Sequence, residues 1–101
     1  MLAATQTLAM TPVKDVPPLP NPVQLEYYED SEELFTYKVM EYYEIAVALR
    51  TQIQTMGMEP SIKFTSPSLE ELGDQEVSLI VRYYNIARKL YKEVEAIDGK
   101  S

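Results

Sequence analysis

Between residues 35 and 56 one apolar series runs Phe35, Val39, Tyr42, Ala46, Leu49, Ile53 and Met56, so its steps alternate four and three. A spacing near 3.5 residues is the signature of a helix that buries one narrow seam against another helix. No glycine or proline interrupts the run, and strong helix formers are frequent within it. The pattern predicts a helix from about Ser31 to Met56. Asp30 stands as its N-cap with Glu33 three residues on, the capping-box spacing, and Gly57 suits the left-handed position that ends a helix. A second seam, Ile80, Tyr83, Ala87, Leu90, Val94 and Ile97, steps by three and four. It predicts a helix from an Asp74 cap to about Ile97, with Gly99 following.

Residues 57–73 connect the two. Pro60 and Pro67 block a continuous helix. Ile62 and Phe64 alternate with polar neighbours and predict a short extended stretch. Ser66 and Pro67 predict a single helical turn through Leu72, proline taking its favoured first position, with Gly73 as the stop. Ahead of the first long helix, Val23, Leu25 and Tyr27 alternate, which predicts a short edge strand or an extended lead-in. Prolines at 12, 17, 18, 20 and 22 then dictate polyproline II or irregular extended chain. Residues 1–24 are expected to be a flexible arm, disordered unless a partner holds it, and residues 25–101 the helical domain. The only internal similarity is between "EYYEI" at 41–45 and "RYYNI" at 82–86.

Two seams and a connection imply an all-α fold. The expected architecture is an antiparallel helical hairpin with a short connecting helix and a proline-rich extended N-terminal arm. Placing Tyr42 opposite Leu90 also sets Ala46 near Ala87, Leu49 near Tyr83 and Ile53 near Ile80. Antiparallel packing brings Glu32, Glu33, Glu41 and Glu44 alongside Arg88, Lys89 and Lys92, with Lys38 and Glu93 as a flanking pair. Exposed pairs contribute only a few tenths of a kcal/mol, so charge selects orientation rather than supplying stability.

Beside the seams lie Tyr43, Ile45, Val77, Leu79, Tyr84, Ile86 and Tyr91. So wide an apolar stripe implies more than one neighbour. Each large apolar side chain left wet forfeits about 1.5–3 kcal/mol. The expectation is self-association into a four-helix bundle about a two-fold axis, these seven residues forming the partner-binding face. The competing solution is that residues 22–28, the connection and its short helix fold back over the flank.

Composition narrows the chemistry. The chain has 101 residues, 46% hydrophobic and 25% charged, which fits one small soluble domain. It contains no cysteine and no histidine. Disulfides, thiolate and imidazole metal ligands, and the usual nucleophile–base pairs are therefore absent. Three scattered glycines make no phosphate loop. No catalytic, cofactor-binding or metal-binding residue is named on these grounds. No apolar run reaches the length of a membrane span, and "MLAATQTLAM" lacks the positive flank of a signal segment, so a cytoplasmic location is expected. The net charge is −7, which disfavours nucleic acid or an anionic membrane as a direct partner. A protein, or a second copy of the chain, is the expected partner.

Three local patterns offer further chemistry. Glu41-x-x-Glu44 followed by Glu71-x-x-Asp74 resembles the magnesium-holding carboxylates of all-α nucleotide pyrophosphohydrolases of the MazG type, and carboxylates suit that ion. The chain departs from that motif at Met40, where the family has a further Glu. The antiparallel register would also hold Glu44 about 20 Å from Asp74. In the arm, Lys14, Pro17 and Pro20 have the spacing of ligands for SH3-like grooves. With Leu19 they mark a segment suited to lie in a groove of a neighbouring subunit. The acidic stretch 26–76 matches an inhibitor or regulator of a basic, nucleic-acid-binding protein. Eight tyrosines suit both core packing and binding hot spots. The expected function is that of a non-enzymatic interaction or assembly protein, a small adaptor, accessory or structural component of a larger complex. The alternatives are the acidic regulator and a magnesium-dependent nucleotide hydrolase.

Overall fold

The computed structural model describes residues 13–99. The first twelve residues of the expected arm, Pro12 included, lie outside the described residues. The described chain is all-helical, with no strand. Its helices are α1 (Pro22–Glu29), α2 (Glu32–Thr55), α3 (Leu69–Asp74) and α4 (Val77–Gly99).

The stretch expected as an edge strand is helix α1. Asn21 caps it by accepting from the Gln24 amide at 2.9 Å, while the Gln24 side chain accepts from the Asn21 amide at 3.0 Å. Pro22 occupies the first turn, where its missing donor costs nothing. Three alternating apolar residues are too few to tell a strand from a two-turn helix, and the cap decides. The boundary drawn at residue 24 therefore falls inside α1.

Helix α2 has the predicted extent, but Ser31 rather than Asp30 is its cap, its hydroxyl accepting from the Leu34 amide at 3.2 Å. Asp30 instead ends α1. Gly57 takes the left-handed conformation, φ +80°. Helix α3 starts two residues later than expected, on a Ser68–Glu71 capping box, and runs through Gly73. The turn after it falls on Gln75, at φ 50°, and α4 begins three residues past Asp74.

The two long helices pack along each other, but in the same direction. At one end Gln75, just before α4, donates its side-chain amide to the Glu29 carbonyl just before α2, at 2.8 Å. At the middle Tyr42 meets Tyr84 with ring centroids 5.4 Å apart, and Tyr43 meets Tyr83 at 5.9 Å. Toward the far end Gln52 and Tyr91 both hold the arm, at Val13 and Lys14. The expected antiparallel register is thus corrected. Parallel helices need a return path as long as the helix, and the connection supplies one. Residues 58–68 carry no helix, and eleven extended residues reach about 36 Å, the length of the 24-residue α2. This strap runs back past Glu93, which accepts from the Ser61 amide at 3.2 Å and from its hydroxyl, and past Tyr83, which donates to the Thr65 carbonyl at 2.6 Å. Lys38 therefore does not reach Glu93; it pairs with Glu41 at 2.9 Å.

The same order of parts occurs twice: an extended strap (13–21 and 58–68), a short helix opened by a capping box, and a long helix. Tyr42 and Tyr83 occupy matching places, each donating to the main chain of a strap. Both seams are buried as predicted, except that Met56 is exposed and Ile97 is half-buried. Val16 from the first strap and Leu25 from α1 complete the core.

Candidate interaction surfaces

The flank expected to bind a partner is largely covered by the chain itself. Leu79 and Ile86 are 6% and 8% exposed. Tyr84 is half-buried, edge-on to Tyr42. Tyr43 is wedged between Phe64 and Tyr83, with centroids at 6.0 and 5.9 Å. Val77 and Ile45 are half-buried, and Tyr91 donates to the Lys14 carbonyl at 2.6 Å. The two straps and the short helices supply the cover. Pro17, Leu19 and Pro20 are likewise half-buried in the strap that lies against these helices.

Proline explains how a strap can lie on an apolar face. Its ring brings no donor to bury, so only its carbonyls need partners. Tyrosine hydroxyls provide them. Tyr42 donates toward the Pro17 and Pro18 carbonyls at 3.1 and 2.9 Å. Gln52 accepts from the Val13 amide at 3.1 Å. Val16 sits between these anchors, 4% exposed. Among the described residues no buried side-chain nitrogen or oxygen lacks a partner. Burial, with Glu41 and then Tyr84 and Tyr28 adding repulsion, pushes the Tyr42 hydroxyl up to about 12. Lys38 lies above the same ring, 5.3 Å from its centroid, and 5.7 Å from that of Tyr28.

What stays open lies elsewhere. A shallow groove on the outer face of α2 is lined by Tyr37, Met40, Ile45 and Ala48, with Val13 at one end and Glu41 and Glu44 along it. Tyr37 is 66% exposed. Val23 and Tyr27, four residues apart on α1, are also exposed. A second hollow, between α2 and the connecting strap, holds Arg50 over the Phe64 ring at 4.6 Å. Of the groove residues only Ile45 belongs to the partner-binding face expected from the sequence. Tyr37, Met40, Glu44 and Ala48 follow helical spacing and form a second stripe off the main seam, and that spacing is the signal that marks them.

No family model, curated protein or solved structure matches this chain. Function must therefore be argued from these surfaces.

The four carboxylates of the ExxE…ExxD pattern are split between two places. Glu41 and Glu44 line the α2 groove, whereas Glu71 and Asp74 line a recess with Glu76 and Arg82. Glu71 is occupied: it accepts from the Ser68 amide and from Arg82, both at 3.0 Å. The Ser68 bond first, and then Arg82, hold its carboxyl below the usual range. Among the described residues no three acidic, histidine or cysteine side chains gather as a metal set. No helix among them is long and apolar enough to cross a membrane.

Proposed function

We propose that this protein is a non-enzymatic interaction module, an adaptor or accessory component, and that it binds a protein partner through the outer face of α2. The observation that carries this reading is the groove of Tyr37, Met40, Ile45 and Ala48, left open in a chain that otherwise covers its own apolar flank. Tyrosine and methionine are enriched at protein interfaces, where a rigid ring and an adaptable thioether bury area at low entropic cost. Glu44, exposed at the groove beside the Lys38–Glu41 pair, favours a partner segment that brings apolar side chains with a lysine or arginine beside them. Val23 and Tyr27 on α1 are also exposed.

The test compares the full chain with its Tyr37→Arg variant in capture from cell extract and in sedimentation over a range of concentrations. Tyr37→Arg should leave the melt unchanged and remove a discrete partner or a self-associated species. Equal capture and equal mass in the two chains would reject the reading. Capture that survives Tyr37→Arg but collapses as salt rises would favour the acidic regulator instead.

A further inference from the structure

The first strap and α1 are joined to the rest of the molecule by a single non-helical residue. Helix α1 ends at Glu29, Asp30 is already right-handed helical (φ −80°, ψ −10°), and α2 starts at Glu32. Only Ser31, at φ −134° and ψ 117°, is extended. Were Ser31 to enter the helical region, α1 and α2 would become one helix from 22 to 55. Asn21 would then lie 21 residues from Tyr42, about 31 Å along the axis. The chain between Asn21 and Pro18 reaches only about 10 Å. In that open form the strap cannot dock on its own tyrosine.

We infer that residues 13–21 dock in trans, so that two copies of this chain exchange their N-terminal straps about the Ser31 hinge. The contacts holding the strap suit such an exchange. Tyr42 and Tyr91 donate to main-chain carbonyls of Pro17, Pro18 and Lys14, and Gln52 accepts from a main-chain amide. None of these depends on the strap belonging to the same molecule. The second strap, 58–68, is held by Tyr83 in the same manner and lies between α2 and α3, whereas the first leads through α1 to the Ser31 hinge. Exchange repeats every closed contact and alters only the hinge, the low-cost route to a dimer. The closed form keeps the Ser31 cap and the acids Glu32 and Glu33 at the α2 N-terminus. Exchange is therefore favoured by high concentration or by loss of the cap. This inference meets the α2 groove only at Val13 and does not rest on a partner bound there.

Because the chain has no cysteine, a mixed-chain disulfide test is clean. Full-length Val13→Cys and Gln52→Cys chains are mixed, oxidised mildly, and the heterodimer is identified by mass. A strap docked in trans places these two positions together and yields the cross-linked pair. Ser31→Ala in both chains removes the cap and should raise the yield about tenfold. Glu32→Pro in both chains should abolish it. Proline is accepted at the first helical position, demands an extended residue before it, as Ser31 is, and cannot sit inside a fused helix. The double variant Val13→Cys/Gln52→Cys with Glu32→Pro should bridge within one chain; if it does not, the strap is misplaced and the inference falls with it. Equal heterodimer yield with Ser31→Ala and Glu32→Pro, or none with either wild-type Ser31 or Ala, overturns exchange. Tyr37→Arg should leave the yield unchanged, which separates this result from the fate of the α2 groove.

Discussion

Tyr42 shows how one side chain links seam, strap and stability. Its ring is buried in the interhelical seam and its hydroxyl anchors the first strap. Folding raises its pKa from 10.0 to about 12, so the folded state holds the proton more tightly than the unfolded chain. Its contribution is complete below pH 10 and is lost as pH rises toward 12. The loss is on the order of 2–3 kcal/mol. Melting followed from about pH 9 to 12 should fall more steeply for the wild type than for Tyr42→Phe. Parallel curves would show that the hydroxyl does not carry the effect. At Gly57 the backbone is left-handed with nothing within 4 Å of an added methyl. Gly57→Ala should then cost about 1 kcal/mol in chemical denaturation from backbone strain alone.

At the scale of elements, polar caps decide what apolar alternation leaves open. Val23, Leu25 and Tyr27 alternate as an edge strand or extended lead-in would, and the reciprocal Asn21–Gln24 bonds make the segment α1 instead. Asn21→Ala should lower stability by about 1 kcal/mol in urea. The matching Ser68–Glu71 box opens α3, and the Glu71 carboxyl is held low by the Ser68 amide and Arg82. A depressed carboxylate stabilises above its unfolded pKa and ceases to as pH falls through its folded value. Amides of α3 should therefore exchange with solvent sooner than those of α2 as acid is added, and Glu71→Gln should remove that difference. Pro67 points to a start two residues before the true one; Ser68 offers the better acceptor, and the helix begins there.

At the scale of the molecule, helix direction sets everything else. Each seam residue of α4 stands 41 positions after one of α2: Val39 and Ile80, Tyr42 and Tyr83, Ala46 and Ala87, Leu49 and Leu90, Ile53 and Val94. The two tyrosine contacts straddle that offset by one residue on either side, Tyr42 to Tyr84 and Tyr43 to Tyr83. A same-direction register is thus written in the seams, but an antiparallel one centred on the two alanines matches them nearly as well. Spin labels check the direction. A label at Glu33 should lie close to one at Ser78, while one at Ala96 is displaced by about 27 Å more along the axis. The reverse order of distances would restore the antiparallel hairpin. Because the strap must run back the full length of α2, it lies along the flank at Tyr83 and Ile86 that an antiparallel pair would leave open.

The sequence by itself determined two long helices, their buried seams, the left-handed Gly57 and the absence of cysteine and histidine chemistry. These follow from local spacing and residue type. Relative helix direction, the burial of Leu79 and Ile86, the docking of the proline strap and the opening of the Tyr37 groove were decided only in three dimensions. Each depends on which distant carbonyl meets which tyrosine hydroxyl, and nothing in the local pattern of a chain carries that pairing.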